Sequence, residues 1–150
     1  MNWDEYFINL CYEVAKKSKD PSTQVGAIIV YQDNGICSTG FNGFSRGLNE
    51  SNPERWEDRS IKYPLVVHAE TNAILNAARH GHSTNGCKIY VPWHPCSNCA
   101  NSIVQSGISE VILDDNFIPN PDLMERWKRE HDLAKIIFFE GNVVVRKSHS

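Results

Sequence analysis

A histidine and a pair of cysteines, far apart in the chain, constrain this sequence more than any other feature. His68-Ala69-Glu70 opens one segment, and Pro95-Cys96-Ser97-Asn98-Cys99 opens another. An imidazole and two thiolates are ligands of the kind that hold Zn²⁺ tetrahedrally. Three protein ligands leave the fourth position that a catalytic zinc keeps for water. Glu70, two residues beyond the histidine, offers a long carboxylate that reaches such a water without being a ligand. A fold that uses both motifs must bring two segment starts to one point.

Helix N-termini do this. His68 and Glu70, at i and i+2, splay apart on the side of a helix but converge when viewed end-on. Cys96 and Cys99, at i and i+3, stand one turn apart and reach one ion. The unpaired N–H groups and the dipole at a helix start favour thiolates, and a bound metal completes their deprotonation. Pro95 suits the opening of the second helix. Each motif alone is common by chance; both together, each at a helix start, are specific. A closed structural zinc would need a fourth ligand, and only His94 and Cys87 are near. A redox C-x-x-C would leave His68 and Glu70 unexplained. The pair of motifs is similar to the H-x-E and P-C-x-x-C signature of zinc deaminases.

The rest of the chain reads as alternating helices and strands. Trp3, Tyr6, Phe7, Leu10, Cys11, Val14 and Ala15 recur at helical spacing, predicting an amphipathic helix over 3–18, with Cys11 as plain core. Residues 25–31 read as a buried strand, Asp33-Asn34-Gly35 as a hairpin turn, and residues 36–41 as the returning partner. The glycines of Gly40-Phe41-Asn42-Gly43 imply backbone packed closely against a neighbour or a strand-ending turn. Residues 44–66 are polar and aperiodic, and with Trp56, Tyr63 and Pro64 they predict a long ordered loop that serves as a flap or a subunit contact. Helices follow over 68–79, from about 96 to 105 and over 121–133, the last carrying Leu123, Met124 and Trp127 inward. Strands are expected over 87–93, 111–113, 136–139 and 143–145, with a loose tail over 147–150. This order predicts one α/β domain over 1–150, a mixed sheet of about five strands with helices on both faces.

Five cysteines form an odd set, which suits a reducing compartment better than a disulfide framework. The acidic start Met1-Asn2-Trp3-Asp4-Glu5 lacks the pattern of a signal peptide, and no apolar run spans a bilayer, so a cytoplasmic protein is expected. A net charge of −3 with scattered Lys and Arg argues against a nucleic-acid polymer or a membrane as partner, yet suits a single nucleotide.

Further stretches carry a family likeness: residues 18–27 (Ser18-Lys19-Asp20-Pro21 onward), residues 40–43, Tyr63-Pro64 ahead of His68-Ala69-Glu70-Thr71-Asn72-Ala73-Ile74, and Gln105-Ser106-Gly107-Ile108. With them the chain resembles the zinc-dependent cytidine and deoxycytidylate deaminase superfamily over nearly its whole length, most nearly its deoxycytidylate (dCMP) deaminases. The resemblance implies conversion of dCMP to dUMP and ammonia, which supplies the thymidylate precursor. It implies one Zn²⁺ per subunit on His68, Cys96 and Cys99, with Glu70 as proton shuttle. It implies Asn42 near the sugar, Ala69 and Phe117 at the base, and a homohexamer. Activation by dCTP and inhibition by dTTP would act at a nucleotide site near Lys19, Phe41, Asn42 and Gly43, with Mg²⁺ accompanying the triphosphate. Phe41 stands where the family usually has Tyr, deleting a hydroxyl, and Phe117 stands where a Tyr often stacks on the base. His80, His82, His131 and His149 are expected to be ordinary surface or helix-end residues.

Two alternatives stay open at this stage. A tRNA adenosine or free-base deaminase shares both metal motifs, but the tRNA enzyme calls for a basic surface. A zinc-stabilised binding module without turnover would share the metal site and dispense with Glu70. For the 5′-phosphate, Arg46, Lys62 and the Ser97-Asn98 turn are unranked candidates.

Overall fold

A computed structural model describes residues 1–149. Its centre is a five-stranded sheet in the order β2-β1-β5-β6-β7: β1 Gly26–Val30, β2 Ile36–Phe41, β5 Lys88–Tyr90, β6 Glu110–Leu113 and β7 Val144–Lys147. β1 runs antiparallel to β2 and β5, whereas β5, β6 and β7 run parallel. A separate short pair, β3 (Gly43–Phe44) with β4 (Val66–Val67), pinches the chain just outside the sheet. The helices are α1 Trp3–Ala15, α2 Pro53–Glu57, α3 Arg59–Leu65, α4 Ala69–Arg79, α5 Ser97–Gln105 and α6 Pro121–Glu140.

Alternation along the strands divides the core. Ile28, Val30, Tyr90 and Ile112 point to α1 and meet Phe7, Ile8 and Cys11. Ala27, Ile29, Ile89, Val91 and Val111 point the other way, to Ala73 and Ala77 of α4, Ala100 and Ile103 of α5, and Ala134 and Phe138 of α6. Burying these side chains contributes about 1.5–3 kcal/mol for each large one. The expected layers, one sheet between helices, are the observed ones. Trp3 and Tyr6, at the start of α1, stay 56% and 40% exposed. Cys11 is fully buried and its thiol donates to the Tyr90 carbonyl.

Glycine decides how closely two helices seat. A Cβ on Gly40 would lie 2.3 Å from the Ala73 nitrogen and 2.5 Å from the Ala69 carbonyl oxygen, so β2 touches α4 main chain to main chain. A Cβ on Gly26 would lie 2.1 Å from the Cys11 carbonyl oxygen of α1. The close approach read from the Gly40–Gly43 segment is thus a strand–helix contact.

Four expectations need correction. The flap at 44–66 is not a plain loop: it holds α2 and α3, capped by Asn52 and Asp58, whose side chains accept from the amides of Glu54 and Ser60. Phe44 stacks on the buried Trp56 at 4.1 Å, fastening it from beneath. Residues 136–139 are not a strand, because α6 continues to Glu140. Ala134 and Phe138, one turn apart, face the core, while Ile136 and Phe139 are 53% and 85% exposed. Met124 is likewise 53% exposed rather than inward. Finally, the tail is tied down: Lys147 belongs to β7, and buried Ser148 donates its amide to Leu113 and accepts from the Asp115 amide. Ser150 lies outside the described residues.

Because β1 runs against its neighbours, the segments before β1 and after β2, β5 and β6 all emerge at one edge of the sheet. The tight turns lie at the other edge.

Candidate functional site

At the emergent edge, His68 is the N-cap of α4 and Cys96 the N-cap of α5, both with extended backbone, and Cys99 follows in the first turn of α5. The His68 Nδ1 is 3.5 Å from the Sγ of Cys96 and 3.5 Å from the Sγ of Cys99. The three donor atoms lie within 4.8 Å of one another. Bonds of about 2.0–2.3 Å from a tetrahedral zinc set ligand atoms roughly 3.5 Å apart, so the donor set and its spacing both fit Zn²⁺. Among the described residues, neither His94 nor Cys87 joins this group. Cys87 instead lies with Cys37, both thiols 3.8 Å from the Ser83 carbonyl.

The electrostatics agree with the geometry. The Cys99 thiol and the His68 ring hold Cys96 down to about 4, making it the ready thiolate, and burial opposes them. Contact with Cys96 in turn raises His68. Cys99 is pushed up by Cys96 and by burial, as expected where two thiols share one negative charge, and its Sγ lies 3.4 Å from the Thr71 hydroxyl. Glu70 is 6% exposed, and burial pushes its carboxyl up, with His68 opposing. A carboxyl held this way exchanges a proton near neutral pH more readily than a solvated one.

A cavity of 640 Å³ opens over this cluster, a size that suits a nucleotide. His68, Ala69, Glu70, Cys96, Asn42 and Phe117 line it. Lys19, Phe41 and Gly43 do not. The Asn42 side chain accepts from the Val25 amide and donates to Asp20 and to the Thr23 carbonyl, so it first of all ties down the loop before β1. Phe117 lies 5.8 Å from Trp93, ring to ring. Of the phosphate candidates, Lys62 lines the cavity but is paired with Asp20 at 2.9 Å. Arg46 donates to Asn76, and the Ser97 hydroxyl to Glu130.

Sequence reasoning turned Leu123 and Trp127 of α6 inward but did not foresee that they, with Arg126 and His131, form a wall of the cavity. Leu123, Arg126, Trp127 and His131 share a face of α6 and all line the cavity. The Trp127 ring stands edge-on to His68 at 6.3 Å. His131, expected at the surface, is half-buried against Trp93, and burial holds it down at about 4. His80, His82 and His149 are exposed as expected. The 123, 127, 131 spacing was the available signal. Asp20 was missed too: its buried carboxylate accepts from Ser22, Thr23 and Asn42. His94 donates from Nδ1 to the Pro95 carbonyl, and its buried Nε2 has no hydrogen-bond partner among the described residues.

Comparison with known proteins agrees with this geometry. The family model described as the cytidine and deoxycytidylate deaminase zinc-binding region matches residues 1–114. A deaminase of Aliivibrio fischeri is 40% identical over 143 residues, covering 95% of this chain and 91% of that one. The deoxycytidylate deaminase of Homo sapiens is 36% identical over 151 residues, covering 98% of this chain and 80% of that one. Among solved structures, dCMP deaminase from the cyanophage S-TIM5 superposes with a TM-score of 0.72 at 22% identity, over 96% of this chain and 95% of that one; this likeness is one of fold. The chain belongs to the cytidine and deoxycytidylate deaminase family.

Proposed function

We propose that this member of the cytidine and deoxycytidylate deaminase family hydrolyses dCMP to dUMP and ammonia within a single catalytic domain, using one Zn²⁺ held by His68, Cys96 and Cys99. The observation that carries the reading is the buried carboxyl of Glu70 beside a three-ligand cluster at the floor of a nucleotide-sized cavity. The deoxycytidylate deaminases among its relatives supply the substrate.

Zinc bound there supplies Lewis acidity, which brings the pKa of water from 15.7 to about 7. The protein's own groups do the rest. Glu70 accepts one proton of the attacking water and delivers it to the ring nitrogen N3 of the cytosine. It then takes the remaining proton from the hydroxyl added at C4 and passes it to the amine, whose C4–N bond breaks to release ammonia. Burial serves this shuttle, because it raises the carboxyl and so strengthens it as a base toward the attacking water. Phe117, backed by Trp93, offers an apolar face to the base, and the backbone of Ala69 flanks it. Asn42 serves the sugar side and fixes the loop that borders it. Trp127 closes the space over His68 and excludes water.

Regulation by dCTP and dTTP, with Mg²⁺ on the triphosphate, belongs to the same reading, as do a hexameric assembly and a cytoplasmic setting. The effector residues would be Lys19, Phe41, Asn42 and Gly43. Supporting a link to the active site, the Phe41 carbonyl accepts from Asn72 of α4, the helix that carries Glu70 in its first turn. Among the described residues, no helix is long and apolar enough to cross a membrane.

The test is ammonia release from dCMP, CMP, cytosine and a tRNA anticodon stem-loop in parallel. Turnover of dCMP well above the others is expected, rising with dCTP at low dCMP and opposed by dTTP. Preference for the stem-loop or the free base would replace the reading, and a flat response to both triphosphates would remove the regulatory part.

A further inference from the structure

The mouth of the cavity is built by two helices from distant parts of the chain, and each brings an arginine. Arg59 opens α3 in the flap, and Arg126 lies in the second turn of α6; both line the cavity. Tyr63 of α3 and Trp127 of α6 meet at 6.5 Å, which draws the two helices together. Arg59 is one turn before Tyr63, and Arg126 is the residue before Trp127, so each helix of that contact brings one arginine to the cavity lining.

Charge pairing sorts the cations here. Lys62 is committed to Asp20 at 2.9 Å, with both side chains largely buried. Arg126 has only a 3.8 Å approach to Asp122, whose side chain is 84% exposed, and such a pair contributes little in water. Glu57 is the remaining acid at this rim. Of the cations at the mouth, Lys62 is thus held by a buried carboxylate, whereas Arg126 has only a solvent-exposed one beside it. Guanidinium groups, with their planar forks of donors, match the oxygens of a phosphate better than a lysine does.

The geometry points to Arg59 and Arg126 as a clamp for the 5′-phosphate of the substrate, one arm from the flap and one from α6. This deepens the dCMP reading above and rests on it. The base lies at the floor beside Glu70, and the phosphate spans the two helices at the opening. Binding a phosphorylated substrate then also draws the flap onto α6. The family model matches residues 1–114, so the α6 arm lies outside the matched region.

The experiment compares dCMP with deoxycytidine, which lacks only the phosphate, in the zinc-loaded wild type and in Arg126→Gln and Arg59→Gln. Each substitution is expected to lower the ratio of kcat/KM for dCMP to that for deoxycytidine at least about tenfold, through KM, in line with the loss of a hydrogen-bonded charge. Arg126→Lys, which keeps the charge and loses the fork, should recover part of the ratio. An unchanged ratio in both Gln variants, or an equal loss on both substrates, overturns the clamp while leaving dCMP deamination standing. A wild type that turns over deoxycytidine and not dCMP overturns the underlying reading and the clamp with it.

Discussion

The two edges of the sheet are made by different means. At the edge away from the cavity, the chain turns through residues with positive φ: Asn34 (70°), Gly81 (75°), Gly86 (78°), Gly107 (81°) and Asn142 (59°). Of the described positive-φ residues, only Gly47 lies on the cavity side. These turns are short and bonded to one another, as where the Gly86 amide donates to the Gly107 carbonyl and the Thr84 hydroxyl to the Ser106 carbonyl. At the cavity edge the connections are longer, and buried polar groups hold them: Asp20 with Lys62, Asn42 with Val25, Trp56 with the Glu50 carbonyl. One edge is fixed by backbone conformation, the other by side-chain chemistry. The difference teaches where substitutions alter catalysis and where they alter only stability.

The sharpest way to test that division is Glu70→Gln. It should lower dCMP turnover about 10³-fold while zinc content, measured by elemental analysis, and the thermal midpoint stay near wild type. A variant that loses zinc or unfolds would make Glu70 a structural residue of its edge.

Asp20→Ala comes next. Removing one partner of a buried pair leaves Lys62 uncompensated and should cost about 3 kcal/mol in urea unfolding. The wild type should also show its own acid sensitivity. Burial pulls the Asp20 carboxyl up, but hydrogen bonds from Ser22 and Thr23 and the Lys62 ammonium outweigh it and hold it below its ordinary value of 3.8. The unfolded chain therefore takes up that proton first. Stability from this group is present above the ordinary value and is lost as pH falls through the lowered one. Urea midpoints measured from about pH 5 to about pH 3 should decline less steeply in Asp20→Asn than in the wild type. Parallel slopes would mean that Asp20 is not what secures the loop.

The smallest effect belongs to the far edge. Gly86→Ala meets no atom within 4 Å, yet φ is +78° there, so about 1 kcal/mol of stability should be lost to backbone strain alone. Turnover should stay within about twofold of wild type, since nothing at this edge reaches the cavity. A large loss of rate would break the separation of the edges.

The same contrast explains what could be read in advance. Asn34-Gly35 announced the hairpin because positive φ is a local demand that few residues meet. His68, Glu70, Cys96 and Cys99 were legible because metal chemistry restricts both residue type and spacing. The α6 wall was not legible. Ile136-Ile137-Phe138-Phe139 has the composition of a strand, and only packing of Ala134 and Phe138 against the neighbouring core makes it helical. Nor did composition show that Trp127 and His131 look into the cavity, because that depends on where α6 lies. The flap gave local signals, Asn52-Pro53 and Asp58 as helix starts, but helices of five and seven residues fall below what periodicity detects.

Gly40 carries one more implication. At Gly40 β2 meets α4 through peptide atoms, with no side chain between them, so the height of the helix above the sheet at that point does not depend on the size of the core side chains. Apolar residues beneath could drift in size over many generations while the acid-bearing first turn kept its elevation. Descendants of such a scaffold are free to change their filling as long as that one hydrogen is never exchanged for a methyl.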